Sequence, residues 1–371
     1  MRHAMIMAGG AGTRLWPMSR QAEPKQLARV IEHGGARLSL LEIAYRRLEG
    51  LIPDERRYIC TNEAHRARIT ADIPGLTDDR LLGEPIGRDT VNAVGFTAAV
   101  LHKRDPDAVF AVLTADHLIE PDDVFRERMD LALRLVEEDP SRLVTFSIKP
   151  TYPATGFGYV ERDQPIPGTD GLAFTVERFV EKPSAEKAQA YLDAGVFGWN
   201  AGMFVWSAST LLDCLRRYKP ESHAGLMEIA DAWGTPEQDE VLRRVYPELP
   251  KISVDYAIME PAAREQARTQ GKGGVKLATV LLDVSWLDVG SWPAFAETLD
   301  ADADGNRTTG HAILHDAKDT LVFNDEGSKP VAVLGAEGLI VVNTPSAVLV
   351  MPADRAQDLK SLHAKLPEEL K

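Results

Sequence analysis

Apolar residues along the first half of the chain arrive in two alternating rhythms. Short apolar runs at His3 to Met7, Arg57 to Thr61, Ala108 to Leu113 and Leu143 to Ile148 read as strands. A run apolar at nearly every position, such as Ala108 to Leu113, is expected of a strand covered on both faces. Between these runs the apolar residues recur at helical spacing. Ser39-Leu40-Leu41-Glu42 has the form of a capping box and opens a helix to about Gly50. Glu63 to Asp72 reads as a helix stopping before Pro74, Thr90 to Lys103 as another, and Asp122 to Glu138 as a long one with acidic residues in its first turn. The alternation predicts an α/β fold: a Rossmann-like mixed, mostly parallel sheet flanked by helices.

From Pro150 the rhythm changes. Gly156 to Glu161 and Phe174 to Val180 read as antiparallel strands joined by a loop rich in proline and glycine. A helix spans Ala185 to Ala194 and ends at Gly195, and Trp199 to Trp206 leads into a strand. Amphipathic helices follow through Arg268, with Ser253 as a cap before Asp255 to Glu260, a segment read as helix cap and core. Val275 to Val284 is the last strand of this part. The acidic stretch Asp300 to Asn306 marks the expected boundary between a domain over 1–299 and a small domain over 300–371. The latter holds short β runs at Thr320 to Phe323, Val331 to Leu334, Leu339 to Val342 and Ala347 to Met351, then a closing helix from Asp354 to His363. Their close spacing suggests a small β domain, with a left-handed β-helix as one form it could take.

Composition narrows the classes of function. The 371 residues are 44% hydrophobic, enough for a full core, and carry a net charge of −14. That sign disfavours a nucleic-acid partner, although a local cationic cluster can still hold an anionic small molecule. Two cysteines, Cys60 and Cys214, make neither a disulfide framework nor a thiolate zinc site. No run is long enough to span a bilayer, and the apolar start stops too soon for a signal peptide. The expected setting is cytoplasmic, with no membrane partner.

Chemistry concentrates after the first strand, in Ala8-Gly9-Gly10-Ala11-Gly12-Thr13-Arg14. Glycines here allow φ > 0 and close approach of a ligand to the backbone, and consecutive amides can converge on an anion. Arg14 and Lys25 add positive charge, so a polyphosphate is the simplest ligand. Taken alone, Gly-Gly-Ala-Gly is equally a structural turn, and neither Walker A nor the dinucleotide fingerprint fits. Asp116 and Asp288 each follow an apolar strand in a loop, where α/β sheets bind ligands. Two such carboxylates suit Mg²⁺ shared with substrate phosphates, although an isolated Asp after a strand is more often a cap.

The stretch from Met7 to Arg20, with Leu15-Trp16-Pro17-x-Ser19-Arg20, together with Pro24-Lys25-Gln26, resembles the signature of sugar-nucleotide pyrophosphorylases, in particular their mannose-1-phosphate guanylyltransferase branch. The resemblance covers roughly the first 300 residues and implies a short form without the isomerase domain fused in longer relatives. It implies that Thr114-Ala115-Asp116-His117 and Trp286 to Trp292 are the metal-binding segments, with Asp116 and Asp288 holding Mg²⁺; because a phosphate-monoester oxyanion needs no base, His117 reads as positional or structural. It implies that Ala8, Gly9, Gly10, Gly12, Thr13, Arg14 and Lys25 bind the nucleotide GTP, the glycine-turn amides, Arg14 and Lys25 holding its triphosphate. Phe179-Val180-Glu181-Lys182-Pro183 is similar to a family segment in which the Glu binds sugar hydroxyls and the Lys neutralises the sugar phosphate. Gly158 and Asn200 lie in similar sugar-binding segments, Asn200 offering both donor and acceptor to mannose 1-phosphate. Gly83 to Thr90 resembles the family's base-binding Glu-Pro-x-Gly-Arg-Asn-Thr, which implies Glu84, Pro85, Arg88, Asp89 and Thr90 as nucleotide contacts. The sequence departs from that pattern with Asp89 for Asn and with Val91-Asn92-Ala93 for Ala-Pro-Ala, which leaves guanine selectivity open. The implied activity is GMP transfer from GTP to mannose 1-phosphate. Open alternatives are another sugar 1-phosphate or donor (heptose phosphate, dTTP, ATP) and a non-catalytic regulatory subunit. Family analogy further implies a homodimer.

Overall fold

The computed structural model describes residues 1–10, 12–20, 23–269 and 274–371; Ala11 of the glycine turn lies outside them. The chain divides into two compact units. One comprises Met1–Gly9, Ala44–Ala115 and Ile119–Trp286; the other comprises Gly10–Ile43, Asp116–Leu118 and Leu287–Lys371.

The first unit is built on a nine-stranded sheet. Its order is Leu81–Glu84, Arg57–Asn62, Arg2–Met7, Val109–Thr114, Phe197–Ser207, Arg142–Ile148, Lys276–Leu281, Ala173–Val180, Tyr159–Pro165. The first four strands are mutually parallel, as their alternation with helices requires. Beyond them the sheet is mixed. Phe197–Ser207 runs antiparallel to both of its main neighbours, and only Arg142–Ile148 with Lys276–Leu281 restores a parallel pair. Parallel order is thus confined to less of the sheet than the alternation suggests, because one long strand enters its middle in the opposite sense. The ladder between Phe197–Ser207 and Arg142–Ile148 shifts register between Asn200 and Phe204. Gly202, at φ +66°, sits in that irregularity, and such bulges re-aim neighbouring side chains.

Helices Thr90–Arg104, Ala208–Tyr218 and Pro220–Ala232 pack over one face. Phe96, Phe110, Trp206, Leu215, Leu226 and Tyr246 are fully or almost fully buried there. At roughly 1.5–3 kcal/mol for each large apolar side chain removed from water, burial of these residues holds the helices onto the sheet. Cys60 and Cys214 are free and buried, and burial pushes both thiols up, Cys214 to about 12. Among the described residues no helix is long and apolar enough to cross a membrane.

The second unit contains a coil of short strands. Arg307–Thr309, Leu321–Asn324 and Leu339–Asn343 stack in parallel, and Val348–Pro352 closes the stack antiparallel. A second parallel ladder joins Ala312–His315 to Val331–Leu334. At one corner Gly310 has φ +76°, and a Cβ there would stand 1.9 Å from the Asn324 carbonyl oxygen, so only glycine fits. Leu15, Trp16, Trp292, Phe295, Phe323 and Ile340 share one core. Trp292 Nε1 donates to the Trp16 carbonyl (2.9 Å), and Trp16 Nε1 donates to the Leu370 carbonyl (2.8 Å). The signature loop is therefore anchored in the same core as the coil. The capping box forms as its spacing predicts: Ser39 N donates to Glu42 Oε2 (2.9 Å) and Glu42 N to Ser39 Oγ (3.2 Å). The helix it opens, Leu40–Arg46, is shorter than the pattern suggests. The closing segment is a 3₁₀ stretch, Ala353–Asp358, followed by the short α-helix Leu359–His363.

Candidate active site

Within the second unit the glycine turn and two loops converge on a charged cluster. Gly10 (φ +109°) and Gly12 (φ +58°) take conformations that a side chain disfavours. A Cβ on Gly12 would stand 3.1 Å from Lys25 Cγ. Thr13 opens the 3₁₀ turn Thr13–Leu15, and Arg14 on that turn is exposed. Lys25 is buried, unlike an ordinary surface lysine. Its Nζ lies 2.8 Å from Asp116 Oδ2 and donates to the Val289 carbonyl at 3.1 Å. Val289 N in turn donates to the Asp116 carbonyl at 3.1 Å, which ties the two acidic loops together. Asp116, His117 and Asp288 each offer a ligand atom, all within 4.8 Å of one another. Burial raises the Asp116 pKa, but the charges of Lys25 and His117 outweigh it and hold the carboxyl at about 2. Gly290 flanks this cluster. A Cβ there would meet Asp288 Oδ1 at 3.1 Å and Arg14 Nη2 at 3.5 Å.

Two carboxylates and an imidazole fit a divalent cation, and an ionised Asp116 suits that donor set. His117, which the sequence reading leaves positional, belongs to this donor set by distance.

In the first unit, Ala8 N donates to the Cys60 carbonyl (2.8 Å) and the Ala8 carbonyl accepts from Thr61 Oγ1 (3.0 Å). The Ala8 amide is thus committed to the sheet. A Cβ on Gly9 would lie 3.6 Å from Glu84 Oε2, in ordinary van der Waals contact, so Gly9 stands directly beside that carboxylate. Glu84 is buried at the end of its strand and accepts from Tyr246 Oη at 2.5 Å. Burial raises its pKa, opposed by Tyr246 and the Arg88 amide.

The rest of the base segment is more structural than expected. Asp89 caps helix Thr90–Arg104, its Oδ1 accepting from Thr90 N (2.8 Å), with φ 64° and ψ 178°. That backbone region is essentially confined to glycine, so Asp89 is held there by its surroundings. The Thr90 hydroxyl accepts from Val254 N (2.8 Å). Asn92 donates to the carbonyls of Arg88 and Pro250, which gives the departure at Asn92 a packing role. Pro85 is half-buried and Arg88 keeps its Nε buried with no partner among the described residues.

The sugar-phosphate residues form a second cluster of the first unit. Lys182 Nζ lies 2.7 Å from Glu181 Oε1. A Cβ on Gly158 would strike Glu181 Oε2 at 2.5 Å and Asn200 Cβ at 3.3 Å, so a side chain there would displace the Glu181 carboxylate from beside Asn200. Asn200 Oδ1 accepts from Thr145 Oγ1 (2.8 Å) and Gly202 N (3.3 Å), and its Nδ2 donates to Asp255 Oδ1 (2.9 Å). The oxygen is therefore already occupied, and one N–H is what Asn200 can present, not donor and acceptor both. Glu181 N donates to Glu260 Oε1 (3.1 Å). Sequence reasoning missed Asp255 and Tyr246. The segment Ser253 to Glu260 reads from the sequence mainly as helix cap and core, which leaves Asp255 without a visible signal.

Residues 3–305 match the nucleotidyl transferase family, and residues 310–366 match the MannoseP isomerase/GMP-like beta-helix domain. A Klebsiella pneumoniae mannose-1-phosphate guanylyltransferase is 37% identical over 96% of this chain and 72% of its own length. The chain belongs to the mannose-1-phosphate guanylyltransferase family. A xanthan biosynthesis protein of Xanthomonas campestris is 34% identical over 98% of this chain and 72% of that protein. Among solved structures, a Thermus thermophilus protein described as a mannose-1-phosphate geranyltransferase superposes with a TM-score of 0.83 at 32% identity, covering 98% of both chains. Family membership makes this chain a nucleotidyltransferase, with the mixed sheet and β-helix-like second part already described.

Proposed function

We propose that the protein transfers GMP from GTP to mannose 1-phosphate. A phosphate oxygen of the sugar phosphate attacks the α-phosphorus in line. A new P–O bond forms, the bond from the α-phosphorus to the bridging oxygen breaks, and pyrophosphate leaves with that electron pair. The products are GDP-mannose and pyrophosphate. The attacking oxygen is already ionised near neutral pH, so no protein base or nucleophile is needed. Catalysis then rests on positioning and charge neutralisation.

In this reading the amides of Gly9, Gly10, Gly12 and Thr13, with Arg14, hold the triphosphate, and Arg14 stabilises charge on the leaving pyrophosphate. Lys25 keeps Asp116 ionised and in place. Asp116 and Asp288, with His117, would hold Mg²⁺, which supplies charge neutralisation at the phosphates. Glu84 accepts from the guanine N1–H and N2 amine, a donor pair adenine lacks. Lys182 neutralises the sugar phosphate, and Glu181 and Asn200 read the sugar hydroxyls. Residues 1–299 carry these roles, and 300–371 form a supporting β domain.

The observation that carries the reading is the convergence of Asp116, His117 and Asp288 within 4.8 Å beside Lys25 and Arg14. The test is ³¹P NMR of GTP with mannose 1-phosphate, set against dTTP, ATP and other sugar 1-phosphates. Equimolar GDP-mannose and pyrophosphate are expected. Turnover of another pair with none of this one contradicts the assignment, and no turnover with any pair favours a regulatory subunit.

A further inference from the structure

We infer that Asp255 is a sugar-reading residue: it locks the Asn200 amide and supplies the hydroxyl acceptor that Asn200 no longer offers. The inference rests on the sugar-phosphate role given above to Glu181, Lys182 and Asn200.

The orientation of Asn200 follows from its partners. Its oxygen accepts from the Thr145 hydroxyl and from Gly202 N, and its amide nitrogen faces Asp255 Oδ1. Rotating the amide would set its oxygen against the Asp255 carboxylate and its NH₂ against the Gly202 N–H. Both contacts are unfavourable, so the orientation is fixed. One N–H is left for a ligand. A sugar hydroxyl has one hydrogen to give and lone pairs to receive. An N–H from Asn200 beside a carboxylate oxygen of Asp255 can satisfy both at once.

Local backbone geometry brings Asp255 to this place. Asp255–Met259 is a π-helical turn leading into the α-helix Glu260–Thr269. In an α-helix, residues five apart diverge around the axis. The π turn closes on the fifth residue. Asp255 and Glu260 therefore reach the same neighbourhood, one binding Asn200 and the other the Glu181 amide. π turns of this kind are frequent at functional sites. Burial, then the nearby Glu181 charge, push the Asp255 carboxyl up to about 7, against its own amide, Lys182 and Asn200. A buried carboxyl that faces a second carboxylate benefits from hydroxyl donors, and a sugar supplies them.

The test uses the full chain with Asp255→Ala and Asp255→Asn, assayed with mannose 1-phosphate and its monodeoxy analogues. For the wild type, at least one deoxy analogue should fall tenfold or more below the parent in kcat/KM. Asp255→Ala should lose about tenfold on the parent, through KM, and less than twofold on that analogue, so the gap closes. The KM for GTP should stay within twofold. Asp255→Asn keeps an acceptor for Asn200 and should retain part of the gap, and thermal melting of both variants reports folding. A gap that persists undiminished in Asp255→Ala, or KM values for GTP and sugar phosphate that rise together, overturns the inference. Wild type that uses a different sugar phosphate overturns the mannose assignment alone; the analogue series of that sugar then decides on Asp255. No turnover with any sugar 1-phosphate overturns both.

Discussion

The Lys25 ammonium is buried 2.8 Å from Asp116 Oδ2 and also donates to the Val289 carbonyl. One cation thus ties the two acidic loops to the glycine turn. Lys25→Met should remove the charge, leave Asp116 less firmly ionised and lower kcat by about 10²–10³-fold, the range seen when a preorganised electrostatic partner is lost. Lys25→Arg should not rescue turnover, because a wider, planar guanidinium cannot reproduce the buried two-acceptor geometry. Steady-state pyrophosphate release from both variants checks this, and near-wild-type kcat in Lys25→Met contradicts it.

Glu84 and Tyr246 make a second testable pair. Tyr246 Oη donates to Glu84 Oε1 inside the core, which fixes the carboxylate rotamer and leaves Oε2 facing Gly9. Glu84→Gln replaces an acceptor with a donor and should cut kcat/KM for GTP by roughly tenfold to a hundredfold, while ATP changes little. Tyr246→Phe should move the same ratio in the same direction by less. Competition between GTP and ATP in one assay reads both effects, and an unchanged ratio in Glu84→Gln removes Glu84 from base recognition.

Much of this was legible because it is local. The glycine turn, the Ser39–Glu42 capping box and the strand at Val109–Thr114 are written in adjacent residues. The short β runs near the C-terminus announced themselves, but their ladders, such as Arg307 to Leu321 to Ile340, join residues 14 and 19 positions apart and carry no local signal. Asp89 and Thr90 are implied as nucleotide contacts by the family resemblance alone; in the structure the Asp89 carboxylate caps a helix N-terminus and the Thr90 hydroxyl accepts from the Val254 amide. Asp255 escaped for the opposite reason. Its partner, Asn200, is 55 residues away, and a π turn has no sequence period that differs visibly from an α-helix.

His3 sets a pH limit on stability. It is buried on the first strand, with neither ring nitrogen hydrogen-bonded among the described residues. Burial, followed by the N-terminal amine, pushes its pKa down to about 4, with Asp105 opposing and Arg56 and Arg104 adding to the fall. The folded value lies below the unfolded one near 6.5, so the unfolded chain takes up the proton first. Stability from this group is whole above about pH 6.5 and is lost as pH falls toward 4, by about 1.4 kcal/mol per unit and about 3 kcal/mol in all. His3→Phe should flatten this slope. Urea midpoints between pH 4.5 and 7 measure it, and identical slopes in wild type and His3→Phe contradict the assignment.

The central claim is that Asp116 and Asp288 share a divalent cation on which guanylyl transfer depends. Asp288→Asn keeps the side-chain size and should keep the fold, since the carboxylate is half-buried at the end of a short strand rather than in a core. The direct measurement is a magnesium titration of pyrophosphate release from GTP and mannose 1-phosphate, run side by side on wild type and Asp288→Asn. Wild type should be inactive after chelation and saturate with Mg²⁺, while Asp288→Asn should stay at least a hundredfold slower at every concentration. A wild-type-like titration curve in Asp288→Asn contradicts the account.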